Sequence, residues 1–264
     1  MPRLGRLREL MQRLRAPDGG CPWDREQTFA SVVPHTLEEA YEVADVIEGE
    51  RFDELPGELG DLLFQVIFYA RLGEEACLFD FDDVVRAIED KLVARHPHVF
   101  GGASAGDAAA VAARWDTHKA DERLARRGAD AVSELDDVPL ALPALTRARK
   151  LQKRAARVGF DWPEVTGVLD KVDEELGELR TALASGQARA VDDELGDLLF
   201  SAVNLVRHLE RDPETVLRAA NTKFERRFRA LETSLAAQGL TVATSDAATL
   251  DRVWEVIKAD ERAR

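Results

Sequence analysis

The sequence predicts an all-α protein built from two homologous helical bundles. Ala, Leu, Glu and Arg dominate a chain of 264 residues that holds only 17 Gly and 10 Pro, a composition that favours helices. Apolar residues recur at helical spacing in one segment after another, and no segment shows strand alternation beside turn signals. A long internal repeat then divides the chain into two modules, each too short to be anything but a small bundle of antiparallel helices.

The repeat is read from matched strings. Glu58-Leu59-Gly60-Asp61-Leu62-Leu63-Phe64 returns 136 residues later as Glu194-Leu195-Gly196-Asp197-Leu198-Leu199-Phe200. Glu38-Glu39-Ala40-Tyr41-Glu42 matches Glu174-Glu175-Leu176-Gly177-Glu178 at the same offset, so the two acidic clusters keep their spacing without a gap. Trp23 and Trp162, and Trp115 and Trp254, pair at an offset of 139, while Lys91 and Arg95 pair with Lys223 and Arg227 at 132. The expected organisation is an N-terminal module over 1–128, a linker over 129–143 marked by Pro139 and Pro143, and a C-terminal module over 144–264. Each module reads as an opening helix, an acidic helix, a long apolar helix and a basic helix.

Composition narrows the function. The net charge is −14, from 50 acidic and 36 basic residues, whereas a protein that binds nucleic acid by neutralising phosphates needs a basic surface, so no nucleic-acid partner is expected. Apolar runs such as Leu62 to Ala70 are far shorter than the ~20 residues of a membrane span, and no membrane association is expected. Leu4, Leu7, Leu10 and Leu14 lie at helical spacing among arginines, as in a folded amphipathic helix rather than a signal peptide. Cys21 and Cys77 are the two cysteines, too few for a disulfide framework and in keeping with the reducing cytoplasm, the expected location.

The carboxylates carry the chemistry. Residues three and four apart share a helix face, so Glu175 and Glu178 point one way, as do Glu194 and Asp197. A lone E-E-x-x-E string is usually a solvated face. The second pair is different: Glu194, Asp197, Ser201, Asn204 and His208 form one narrow polar stripe on a helix otherwise covered by Leu, Val and Ala, and such a helix is normally buried. In the first copy Glu58 and Asp61 stay while the stripe decays to Gln65, Phe68 and Leu72, which a solvent face has no reason to do. Buried acids need partners, and a cation partners several at once. Four carboxylates without His or Cys make a hard oxygen site suited to Mg²⁺ or Mn²⁺. A di-iron bundle is excluded, since no His follows a Glu by three residues. His96 and His98, a lone His-x-His pair, read as a loop feature.

Magnesium held by few carboxylates completes its shell with substrate phosphates, so cations should stand near. Lys171 lies four residues before Glu175 on the same face, and Lys223, Arg226 and Arg227 follow on the next helix. Trp162 and Trp254 are candidates to stack on a base.

At these residues the chain resembles the MazG family of nucleoside triphosphate pyrophosphohydrolases, in its two-repeat bacterial form and over essentially its whole length. E-E-x-x-E followed by E-x-x-D occurs twice, and Gly20-Cys21-Pro22-Trp23-Asp24, Arg95-His96-Pro97-His98-Val99-Phe100, Val158-Gly159-Phe160-Asp161-Trp162 and Lys223-Phe224-Glu225-Arg226-Arg227-Phe228 also resemble the family's text. The resemblance implies the all-α NTP pyrophosphatase fold with helices packing between subunits, hence a homodimer. It implies Mg²⁺ held by Glu175, Glu178, Glu194 and Asp197, with Glu39, Glu42, Glu58 and Asp61 as a second candidate metal site. It implies phosphate contacts from Lys171, Lys223 and Arg227, with Trp254 and Lys258 closing over the nucleotide. The implied reaction takes ribo- and deoxyribonucleoside triphosphates of broad identity to the monophosphate and pyrophosphate, with Glu174, Glu175 and Glu178 as the candidate catalytic carboxylates. The competing reading is a non-catalytic helical module that binds nucleotides or a partner protein around a structural ion.

The two modules differ where catalysis would show it. His35 stands at the position of Lys171, and the opening helix of the second module carries Lys150, Lys153, Arg154 and Arg157 where the first has Met11, Leu14, Arg15 and Asp18. The second module is therefore expected to be the main catalyst and the first structural or weakly active.

Overall fold

The computed structural model describes residues 2–101 and 133–262, and every described element is helical. Trp115, the Lys119–Arg123 match, most of the Gly/Ala-rich stretch at 101–110 and residues 129–132 of the expected linker lie outside the described residues. The chain divides into two compact units, Met1–Gly128 and Ala129–Arg264. The described part of the 129–143 stretch falls in the second unit, where Arg154 donates to the backbone carbonyls of Asp136 and Asp137 and Val138 is buried.

In the first unit α1 (Pro2–Leu14) and the short α2 (Pro22–Glu26) lead into the long pair α3 (Phe29–Glu48) and α4 (Leu55–Glu75), followed by α5 (Phe81–Arg95) and the single turn α6 (Pro97–Phe100). Local chemistry sets the boundaries. Thr28 and Ser31 form a capping box at the start of α3, and Asp80 and Asp83 do the same for α5, each satisfying amide donors that the first helical turn leaves unpaired. α4 is the centre: α3 and α1 pack on it, and its Ile67, Phe68, Ala70 and Leu72 join Met11, Val32 and Phe81 in one core. Arg15, just past α1, seals this core. Its guanidinium lies 5.3 Å from the centre of the Phe68 ring, donates to both oxygens of Glu75, and reaches the carbonyls of Asp24 and Gln27.

The second unit repeats the plan with α7 (Ala144–Arg157), α8 (Val165–Ser185), α9 (Ala188–His208) and α10 (Pro213–Ala236), then a 3₁₀ turn at Val242–Thr244 and α11 (Ala247–Arg262). α8 stops at Gly186, whose φ of 69° is the left-handed conformation that glycine adopts without cost. Only Gly186 and Gln187 separate α8 from α9, so the two helices fold back as the most extensively packed pair among the described helices. Asp212 caps α10 through the Thr215 amide, and Pro213 occupies its first turn. α10 packs on α7 and α9 and pairs with α11 around Leu231, Leu235 and Val253, with Phe228 and Trp254 packed against them.

Candidate metal centre and adjoining cavity

The α8–α9 hairpin places carboxylates from two helices opposite one another. Ligand oxygens of Glu175, Glu194 and Asp197 lie within 4.8 Å of each other. Glu175 is 4% exposed; one oxygen accepts from Lys171 Nζ at 2.8 Å, and the other, Oε2, is buried without a hydrogen-bond partner. An ionised oxygen left unpaired in the interior is costly, and a cation facing three carboxylates removes that cost. Lys171 also holds Glu174 at 3.0 Å, and the hydrogen bonds to Glu175 and Glu174 raise its ammonium well above the ordinary lysine value. Glu178, one turn further along α8, is exposed. Partial desolvation first, then the charge of Glu194, pushes its carboxyl above the usual range, outweighing the opposing charge of Lys171. Of the four carboxylates expected as ligands, three thus converge and the fourth feels their field.

The first unit builds a related cluster from α3 and α4, with ligand oxygens of Glu39, Glu42 and Glu58 within 4.8 Å. Desolvation, then Glu39 and Glu38, raise the Glu42 carboxyl, with Asp61 contributing. The supporting groups differ. Gln65 Nε2 donates to Glu39 at 3.5 Å, and His35 at the lysine position lies 3.7 Å from Glu38 and edge-on to Trp23.

The structure does not bring every expected group to the acids. Arg227 pairs with Glu261 at 2.7 Å, Lys258 with Glu255 at 2.6 Å, and Trp254 packs on Phe224 with ring centres 5.7 Å apart. With the exposed Lys223, these belong to the α10–α11 hairpin, and among the described residues no ion pair or hydrogen bond joins them to Glu175, Glu194 or Asp197. His96 and His98 stack with ring centres 5.7 Å apart but join no cluster of ligands among the described residues.

Further along the polar stripe of α9 a cavity of about 280 Å³ opens against α7 and the 158–164 loop. Phe160, Trp162 and Phe200 line it together with Ser201, Asn204 and Gln152. Trp162 is seated on bare backbone: a Cβ at Gly167 would meet its ring at 2.6 Å. Asp161 accepts from Arg207 at 2.5 Å; burial raises its carboxyl, but Arg207 and the Trp162 amide more than offset this and hold it below the usual range. Gln152, Asp161 and Arg207 escape a reading by spacing, since they come from three different segments and meet only in the folded unit.

This arrangement, twice over, has known counterparts. The model of the MazG nucleotide pyrophosphohydrolase domain matches residues 27–100 and again 164–231. The chain belongs to the MazG nucleotide pyrophosphohydrolase family. It is 52% identical to a nucleoside triphosphate pyrophosphohydrolase of Escherichia coli (strain K12), over 99% of each chain. A nucleoside triphosphate pyrophosphohydrolase/pyrophosphatase MazG of Thermotoga maritima is 40% identical over 97% of this chain and 95% of its own. The two MazG matches take in α3–α4 and α8–α9, the hairpins that carry the two acidic clusters.

Proposed function

We propose that this MazG protein hydrolyses ribo- and deoxyribonucleoside triphosphates of broad identity to the monophosphate and pyrophosphate, as a cytoplasmic enzyme that clears the nucleotide pool. The second unit does the catalysis and the first is structural or weakly active. The observation that carries this reading is the buried Glu175 Oε2, unpartnered among converging carboxylates and beside a lysine.

Glu175, Glu194 and Asp197, with Glu178 beside them, would hold Mg²⁺. The all-oxygen donor set fits that ion or Mn²⁺, which when bound supplies electrostatic stabilisation of the phosphate oxygens. Lys171 pairs with both Glu174 and Glu175 and holds the two carboxylates in place. Water attacks one phosphorus of the α–β anhydride: its oxygen bonds to phosphorus, the bridging P–O bond breaks towards the leaving phosphate group, and Glu174 takes the proton on Oε2, the oxygen Lys171 does not engage. Lys223, Arg227, Trp254 and Lys258 act from the α10–α11 hairpin on the phosphates and nucleoside.

A homodimer belongs to the same reading. Leu195, Leu199 and Phe200 leave an exposed apolar strip on α9, the kind of face a second copy covers. Cys21 and Cys77 are both free thiols, and no helix among the described residues is long and apolar enough to cross a membrane.

The test is a Mg²⁺-dependent turnover assay on a panel of nucleoside triphosphates with the products identified. Monophosphate plus pyrophosphate, abolished in Glu175→Ala, is the expected result. Diphosphate plus phosphate would reassign the bond cleaved, and a folded protein inert with both Mg²⁺ and Mn²⁺ would leave a binding module in place of an enzyme.

A further inference from the structure

The α10–α11 hairpin sets an acid among the cations that the proposed function needs for phosphate. Lys223 and Arg227 lie four residues apart on one face of α10, and Lys258 and Glu261 lie three apart on one face of α11. Glu261 bridges the two helices. Its Oε1 accepts from Arg226 Nε at 3.1 Å and Nη2 at 2.9 Å, and its Oε2 accepts from Arg227 Nε at 2.7 Å. The hydrogen bond from Arg227, then those from Arg226, hold its carboxyl below the usual range. A carboxylate beside a site for a triphosphate repels the substrate, so its place there calls for a role other than charge.

A tie between helices is one such role, and Arg226 alone would supply it. That arginine is 64% exposed, however, and exposed ion pairs contribute little to stability. The second arginine is held differently. A guanidinium has two edges that grip an anion with paired donors: the side edge of Nε with one Nη, and the end edge of the two Nη groups. Arg227 turns its side edge to Glu261 through Nε, and among the described residues no hydrogen bond takes its Nη groups. Tied at Nε and with 20% of its side chain exposed, Arg227 holds its end edge in one place. One carboxylate also serves two guanidiniums, so the trio keeps one net positive charge in a chain whose total is −14.

The internal repeat adds a sequence argument. Lys258-Ala259-Asp260-Glu261-Arg262 repeats Lys119-Ala120-Asp121-Glu122-Arg123, and Arg227 repeats Arg95, but Arg226 stands where the first unit has Ala94. The extra cation therefore falls in the unit to which catalysis is assigned. We propose that Glu261 is the positioning residue of the phosphate grip: it fixes Arg227 by the Nε edge, so that the end edge meets a phosphate of the substrate as a preformed fork, while Arg226 offsets the repulsion of the carboxylate. The proposal rests on the nucleoside triphosphate reading above, in which Arg227 acts on the phosphates. A free arginine side chain loses rotamer freedom when it binds, whereas one already held has little left to lose. The phosphate charge is present in the ground state and the transition state alike, so the gain falls on KM rather than kcat.

Glu261→Ala tests the sign of the effect. If Glu261 acted through its charge, losing it would tighten binding of an anion; if it were a tie alone, stability would change and KM would not. Positioning predicts that KM for ATP rises about tenfold while kcat stays within about threefold. Glu225→Ala removes an exposed acid of the same helix, paired with Arg229, and as the control should leave KM within about twofold. A double-mutant cycle shows whether Glu261 works through Arg227: in an Arg227→Ala background, Glu261→Ala should change KM by less than about twofold. Glu261→Gln is the second variant should alanine unfold the hairpin; its single carbonyl oxygen cannot serve both arginines, and KM should rise at least about threefold. Isothermal titration with inorganic pyrophosphate and Mg²⁺ reads the grip without turnover, and Kd should rise about tenfold in Glu261→Ala. An unchanged or lower KM in folded Glu261→Ala, additive effects in the cycle, or pyrophosphate bound equally by parent and variant would each overturn the assignment. Absence of triphosphate hydrolysis in the parent protein would strike the proposed function instead, and the pyrophosphate titration would then decide the grip by itself.

Discussion

Glu175 and Glu39 occupy matching positions in the two repeats, yet their surroundings differ in a way that single side chains decide. Glu175 is buried with one oxygen on Lys171 and one on nothing, while Glu39 is half-buried and accepts from Gln65. The unpaired oxygen predicts a measurable metal effect. A cation that binds only the folded state stabilises it by mass action, so Mg²⁺ at a hundredfold excess over its Kd should raise the melting temperature of the second unit by about 5–10 °C. Glu175→Gln should remove most of that shift. A shift of the same size in the variant would show that Mg²⁺ acts elsewhere.

Between elements, the clearest device is the clamp that ties α1 to the end of α4. Arg15, with 7% of its side chain exposed, is bidentate to Glu75, and Arg71 also reaches the same carboxylate. Burial alone would raise the Glu75 carboxyl, but the two arginines hold it below the ordinary carboxylate range. A carboxylate whose folded value is depressed adds stability above its unfolded value and loses it as pH falls through the folded one. The first unit should therefore weaken as pH falls from the ordinary carboxylate range to the lowered value of Glu75. Glu75→Gln should flatten that acid limb and cost about 1–3 kcal/mol at neutral pH, because Arg15 is left underpaired in the interior. Urea unfolding from neutral to acid pH, followed by amide exchange in α1 and α4, checks it; an unaltered acid limb would mean that other carboxylates govern the loss.

Across the whole molecule, one fold appears twice with different fillings. α4 is sealed by Phe68, Leu72 and Met11, whereas the matching face of α9 carries Asn204 beside a cavity and His208 against Asp161. A packed core in one copy and a hollow in the other is the pattern of one supporting and one working module. Glu39→Ala should accordingly retain most triphosphate turnover, while Glu175→Ala loses it. Steady-state kinetics of the two variants side by side decide this, and equal loss in both would place the work in both units.

The helices, their approximate order and the two acidic hairpins were legible before any coordinates, because helical periodicity and the repeat are local or one-dimensional signals. So was the polar stripe of α9, from Glu194 to His208. The partners of Arg227 and Lys258 were not: in the folded unit these side chains meet Glu261 and Glu255 of their own hairpin. The cavity was equally hidden, since Gln152, Asp161 and Asn204 lie on three segments with no spacing rule between them.

By itself the sequence determined that this is an all-helical, twice-repeated MazG-family chain with paired carboxylates on helices, since periodicity and an internal repeat with evenly spaced acidic clusters are written along one dimension. Only the tertiary structure decided that Glu175 keeps an unpartnered oxygen, that Arg207 turns the Asn204 amide towards open space, and that Phe68 closes the same place in the other unit. Burial and hydrogen-bond satisfaction depend on which side chains from distant segments meet, and that is settled when the helices pack.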